Sequence, residues 1–180
     1  MDLPRVTVIG NQSAGKSSVV EAISGVSHIF NLFEGPGEPI RYQINVPRDA
    51  GTCTRCPMEC RLSSASGPWS CQVSIRWEFD ECGNRLEKVH EEPFGDVISQ
   101  PEEVEVVLRR AQAAVLNPAK GLAWFLEANI EELKGGTTSL PFSRNIVCVD
   151  LEGPELTDLS FIDLPGKPLS FYLIFLDDTM

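Results

Sequence analysis

The chain has 180 residues, enough for one ordinary hydrophobic core. Its 15 Lys and Arg against 26 Asp and Glu give a net charge of −11, which argues against a broad cationic surface for nucleic acid or anionic lipid. A hydrophobic content of 42% argues against disorder of the whole chain, and no apolar run approaches the roughly 20 residues of a bilayer span. The N-terminus has no basic n-region and no cleavage site, so no secretory signal is expected and the six cysteines are expected to be reduced thiols.

Val6-Thr7-Val8-Ile9 is a short β-branched run without a polar break, and it predicts a buried parallel strand. It leads into Gly10-Asn11-Gln12-Ser13-Ala14-Gly15-Lys16-Ser17, which is G-x-x-x-x-G-K-S, the P-loop. Residues 18–24 have helical character and stop at Gly25. Gly10 and Gly15 let the backbone curl so that successive N–H groups point at a phosphate, and the helix dipole adds to that cradle. Lys16 is placed to reach the β- and γ-phosphates and the Ser17 hydroxyl to ligate Mg²⁺. A chance match in a glycine-rich turn is the alternative; the strand before and the helix after disfavour it.

Gly51 to Leu62 follows, with Thr54 as a candidate switch threonine. Its hydroxyl would complete the Mg²⁺ shell and its carbonyl would hold the attacking water. A plain loop leading into a strand fits the local pattern equally well. Cys53, Cys56 and Cys60 give C-x₂-C-x₃-C, a metal-like spacing without a nearby fourth ligand, so packed thiols are the expectation. Cys71 to Phe79 alternates cleanly and predicts a half-buried strand, with Trp77 on the core side. Ten acids against two basic residues between Glu78 and Glu105 predict a solvated acidic face. Pro101 to Leu116 reads as an amphipathic helix with acids at its start, ended by Asn117-Pro118, and the Arg109-Arg110 pair as ordinary exposed helix charges. A second helix is predicted over 123–133. Asn145 to Leu151, a turn at 152–155, and Leu159 to Asp163 predict a hairpin-like pair of strands. The second strand ends in Asp163-Leu164-Pro165-Gly166, the D-x-x-G with which P-loop GTPases sense the γ-phosphate. His28 and His90 are isolated, so hydrolysis by a side-chain nucleophile is not supported.

Three stretches together resemble the GTPase domain of the dynamin superfamily: Leu3 to Ser18, Gly51 to Leu62 with Thr-Arg-Cys-Pro, and Leu159 to Gly166. The second is closer to the Mx-like and fungal dynamin-like branch than to the endocytic dynamins. The resemblance implies an α/β fold, the three-layer α/β/α arrangement of P-loop NTPases. It covers residues 1–166 as the first half of a dynamin-type G domain. It implies a nucleotide site of Gly10, Ser13, Ala14, Gly15, Lys16, Ser17, Ser18, Asp163 and Gly166. Mg²⁺ falls to Ser17, Thr54 and Asp163, and catalytic roles fall to Gln12, Ser13 and Thr54. Gln12 matches the glutamine that orients the catalytic water. Ser13 and Asp163 match the pair that holds a monovalent cation, Na⁺ or K⁺, in place of an arginine finger; Gly51 matches a switch glycine whose carbonyl also contacts that cation. The implied activity is Mg²⁺-dependent hydrolysis of GTP to GDP and phosphate in membrane remodelling or fission. G domains would pair with one another, and membrane would be met only through parts outside this segment. The implied location is cytoplasmic, peripheral to membranes or microtubules in the full-length form.

Two places depart from the family pattern. Residues 26–43 intervene where the family has a handful of residues; removing them joins Ile23-Ser24-Gly25 to Ile44-Asn45-Val46-Pro47-Arg48 and restores the spacing. After Gly166 the resemblance stops, leaving 167–180 as a tail outside the family pattern. Val26-Ser27, Gln43 and Gly166-Lys167 permit splice-site codons, so two translated introns are the favoured explanation, against a surface insertion and a natural tail. No T-K-x-D segment for reading guanine occurs in the chain. The alternative to an active GTPase is therefore a truncated, non-catalytic fragment that binds nucleotide weakly or meets only partner G domains. A P-loop ATPase or kinase is disfavoured by Gln12-Ser13 together with Thr54 and Asp163.

Overall fold

The computed structural model describes the backbone of residues 5–8, and residues 55–129, 132–133, 140–154 and 156–164. The P-loop and the predicted helix at 18–24, the stretch 26–43, Thr54, Gly166 and the tail 167–180 lie outside the described residues.

Six strands form one sheet: β1 (Arg5–Val8), β2 (Met58–Ser64), β3 (Ser70–Phe79), β4 (Arg85–Pro93), β5 (Ile146–Gly153) and β6 (Leu159–Asp163). Two helices follow β4: α1 (Pro101–Val115) and α2 (Leu122–Glu127). The strand order is β1-β6-β2-β5-β3-β4. β1 runs parallel to β6 and β2 parallel to β5, and the other neighbours are antiparallel. The fold is α/β, with the strand arrangement of part of a P-loop GTPase domain. The described helices lie on one face of the sheet only.

Period-two alternation sorts the side chains. Met58, Cys60 and Leu62 of β2, Cys71, Val73 and Ile75 of β3, Val147, Val149 and Leu151 of β5, and Leu159 and Phe161 of β6 are buried on one face. Against them α1 lays Val104, Leu108, Ala111 and Val115, spaced at helical intervals. Each such aliphatic or aromatic side chain contributes about 1.5–3 kcal/mol by leaving water. Pro101 opens α1 with Glu102 and Glu103 in its first turn, as the backbone dipole favours. Trp77 is half-buried against the same core, its indole N–H donating to Glu92 at 2.6 Å.

The predicted hairpin does not form. β2 lies between β5 and β6 and pairs with both. The connection after β5 meets the end of β2. There the Asp158 carboxylate accepts the Ser64 N–H at 2.7 Å and the Gly153 carbonyl accepts the Ala65 N–H at 3.1 Å. An alternating strand supplies a ladder to whichever neighbour the core brings beside it, so consecutive strands need not pair.

The second predicted helix is also cut short. α2 ends at Glu127, and Ala128 turns extended, with ψ 139. Asn129 and Glu132 then exchange hydrogen bonds: the Asn129 side chain accepts from the Glu132 N–H at 2.9 Å, and the Glu132 carboxylate accepts from the Asn129 N–H at 2.8 Å. That reciprocal pair caps a new helical start. Arg110 fixes the break by donating to the Ala128 carbonyl at 2.9 Å.

Part of the acidic stretch is strand, and it is solvated as its charges predict. β4 forms the sheet edge beyond β3, mostly solvent-exposed, and its charges blunt that edge. The β3–β4 turn is closed by Asp80, which accepts from the N–H groups of Cys82 and Asn84, both at 2.8 Å. Gly83 sits there at φ 81, where a side chain would be strained.

Asn145, just before β5, is a buried hub. Its carbonyl oxygen accepts the N–H groups of Glu78 and Phe79, both at 2.9 Å, and its amide donates to the Phe79 carbonyl at 3.0 Å. These bonds serve the register shift between Trp77 and Phe79. Asn145→Ala leaves buried backbone donors without a partner, so a loss of about 2 kcal/mol is expected by denaturant titration.

The face opposite the helices carries a charged network. Arg76 Nη2 stands 2.6 Å from the Glu59 carboxylate, which is buried, and Arg61 Nε lies 3.6 Å from it. Ser160 donates to Glu59 at 3.4 Å. Arg61 grips Glu91 at 2.9 and 2.8 Å and Asp150 at 3.1 Å; Arg76 also reaches Glu91 at 3.1 Å. Burial works against the Glu91 carboxylate, but hydrogen bonds from Arg61 and Ser74 outweigh it and hold the group down to about 2. Burial raises Asp150 above the ordinary carboxylate range, with Arg61 opposing.

Candidate functional site

The topology brings three motif-bearing strand ends to one end of the sheet. In the parallel β1–β6 ladder Val8 is the register partner of Asp163. In the antiparallel β2–β6 ladder Met58 is the partner of the same Asp163. Val8 stands two residues before Gly10, and Met58 four residues after Thr54. The last residue of β6 is thus flanked by the strand that leads into the G-x-x-x-x-G-K-S motif and by the strand that follows the candidate threonine, Thr54. Ligands of parallel α/β sheets sit beyond the carboxyl ends of such strands.

Among the candidate residues Asp163 is described, and it is half-buried at the end of β6. Gly10, Gln12, Ser13, Ala14, Gly15, Lys16, Ser17, Ser18, Gly51, Thr54 and Gly166 lie outside the described residues. The donors proposed for Mg²⁺, the Asp163 carboxylate and two hydroxyls, are oxygen only, which suits a small hard cation.

Cys56 and Cys60 lie beneath this end of the sheet. Burial pushes the Cys56 thiol up to about 12; Arg55 opposes the shift and Asp163 adds to it. Cys60 is raised well above the ordinary thiol range, first by burial, then by its neighbours Cys71 and Asp163. Both thiols are core residues, as packing predicts, and neither is poised as a nucleophile. Among the described residues no three His, Cys, Asp or Glu side chains gather as a metal set; Cys53 lies outside them.

Sequence reasoning missed the residues that support this end. Arg55 donates through Nε to the Pro141 carbonyl at 3.0 Å and through Nη2 to the Leu140 carbonyl. Its own carbonyl accepts the Ser143 N–H at 3.0 Å, and the Pro57 carbonyl accepts the Val147 N–H at 3.0 Å. Leu140 N–H in turn donates to the Leu116 carbonyl at 2.7 Å, at the end of α1. A sequence separation of 86 residues between Arg55 and Pro141 leaves no local pattern to read. A cleft of about 280 Å³ between Trp77, Leu86, His90 and Pro118 includes none of the candidate residues.

No protein-family model matches the chain. Curated proteins do. The chain is 30% identical over 164 residues to the interferon-induced GTP-binding protein Mx2 of Sus scrofa, covering 91% of this chain and 16% of that protein. It is 30% identical over 166 residues to the interferon-induced GTP-binding protein Mx1 of Otaria byronia, covering 91% and 17%. A fish relative, the Mx protein of Dicentrarchus labrax, is 28% identical over 164 residues. The chain therefore spans about one-sixth of the length of the curated relatives it matches, and over nearly all of its own length it is similar to dynamin-like GTP-binding proteins.

Proposed function

We propose that this chain carries the phosphate, magnesium and catalytic-water half of a dynamin-like GTPase site, which binds GTP and hydrolyses it to GDP and phosphate. One observation carries the reading: Asp163 pairs with Val8 on one side and Met58 on the other, so the D-x-x-G motif meets the flanks of the P-loop and the switch segment. The GTP-binding relatives support the choice of nucleotide.

In this reading Gly10, Ala14 and Gly15 present backbone N–H groups to the phosphates, and Lys16 supplies a point charge. Ser17, Thr54 and Asp163 would hold Mg²⁺, which when bound would supply positive charge against the phosphates. Ser18 continues the cradle and the Gly166 N–H meets the γ-phosphate. Gln12 and the Thr54 carbonyl orient water in line with the leaving group. Ser13 and Asp163 hold a monovalent cation where other GTPases place an arginine. Pairing of G domains, a cytoplasmic location and a part in membrane remodelling are the further proposals for the longer protein.

The test is a titration of the 180-residue chain with a fluorescent GTP analogue, with and without Mg²⁺, followed by phosphate release. Mg²⁺-dependent binding that GTP competes is the expected result; the chain holds no T-K-x-D segment, so competition by ATP as strong as by GTP revives the ATPase reading only if phosphate release from ATP matches that from GTP. Gln12→Ala and Ser13→Ala are expected to keep binding within a few-fold and to slow turnover by about one to two orders of magnitude, because they act on the water and the transition-state charge. Loss of binding in either variant contradicts those roles. Binding without any turnover favours the non-catalytic fragment.

A further inference from the structure

We infer that Arg55 is a positioning residue for GTP turnover: it anchors the root of the switch segment to the strap 140–143 and, through that strap, to the end of α1. The inference rests on the nucleotide reading above and adds a residue to it. Arg55 directly follows Thr54 in the chain. Its guanidinium donates to two successive carbonyls, Leu140 and Pro141, and its backbone carbonyl accepts the Ser143 N–H at 3.0 Å. The same strap is held at its far side by Leu140 N–H on the Leu116 carbonyl at 2.7 Å. Two residues on, Pro57 accepts the Val147 N–H at 3.0 Å, which starts the β2–β5 ladder.

These contacts make a closed frame. The strand after Thr54 is tied to β5, the strap before β5 is tied to Arg55, and the strap is tied to the helix that packs on the core. A rigid planar fork reaching adjacent carbonyls fixes direction as well as distance, which a lysine ammonium does not. Arg55 does not touch the nucleotide in this reading. It fixes the backbone at residues 55–57, directly after the candidate threonine, and small displacements of a catalytic group lower turnover far more than they lower ground-state binding.

The experiment compares the 180-residue wild-type chain with Arg55→Ala and Arg55→Lys. It measures affinity for a fluorescent GTP analogue, turnover, and hydrogen exchange at the amides of Ser143 and Val147. The expected result for Arg55→Ala is affinity within about threefold of wild type, turnover lower by about tenfold, and faster exchange at Ser143. Arg55→Lys, which keeps the charge and folds more safely, is expected to fall between the two. Turnover equal to wild type in Arg55→Ala with Ser143 freed overturns the role. So does a parallel loss of affinity and turnover in both variants, which marks a general structural part. Absence of GTP binding in the wild-type chain is seen before any variant is made; it removes the nucleotide reading itself, and the role with it.

Discussion

Lys16→Ala is expected to remove GTP binding from the chain. In the proposed site Lys16 is the one cationic side chain of the P-loop, set against the most highly charged part of the ligand. Charge-assisted hydrogen bonds to phosphate are worth about 1.5–3 kcal/mol each, and a P-loop lysine makes more than one. Affinity should fall by about 100-fold or more, corresponding to about 3 kcal/mol. Equilibrium titration with a fluorescent GTP analogue reads this directly, with circular dichroism as the control for folding. The effect should vanish at no salt concentration that leaves wild-type binding intact. Unchanged affinity in the variant sinks the P-loop assignment outright, because no other residue of the motif supplies that charge.

Arg76→Met is expected to be the most destabilising single change on the sheet's charged face. Glu59 is 2% exposed, and its close cationic partner is Arg76 Nη2 at 2.6 Å. Removing that guanidinium leaves a buried carboxylate with Arg61 Nε at 3.6 Å and the Ser160 hydroxyl at 3.4 Å. Breaking a buried pair from one side costs about 3–5 kcal/mol. The remaining contacts keep the loss near the lower end, at about 3 kcal/mol. The pair can then be dissected: Glu59→Gln with Arg76→Met removes both charges and should recover at least half of the loss. Urea denaturation of the four proteins in the cycle measures it. A double variant no more stable than Arg76→Met would mean that packing of the arginine stem, not the orphaned charge, sets the loss.

Much of the fold was legible because the relevant residues advertise their surroundings locally. Cys71, Val73 and Ile75 alternate, and Pro101 with Glu102 and Glu103 marks a helix start. The misreadings have physical causes. β4 was hidden because it has almost no core face; its backbone ladder to β3 and the Asp80 turn hold it in place, and neither shows as hydrophobic period. The break after α2 was visible in principle as Asn129 and Glu132 three residues apart, but the apolar run through it looked like one helix. The insertion of β2 between β5 and β6 was not readable, because strand neighbours are chosen by the shared core and not by chain order. For the candidate site the reverse holds: G-x-x-x-x-G-K-S and D-x-x-G are local patterns on which a proposal can rest, while Arg55 bonds to a carbonyl 86 residues away and leaves no local pattern to read.

The pairing of β1 with β6 also bears on how the molecule can be made. Arg5 meets Ser160, about 155 residues later in the chain. A ribosome adding about 5–20 residues per second leaves the first strand waiting on the order of 10–30 seconds for that partner. Among the described residues no other strand pairs with β1. The β2–β5 and β2–β6 ladders likewise close only after the late strands emerge, while β3 and β4 zip together early across a tight turn. The nascent chain therefore holds β1 without its β6 partner until about 155 further residues have been added, a period in which a chaperone that shields short β-branched runs would raise the yield of folded protein.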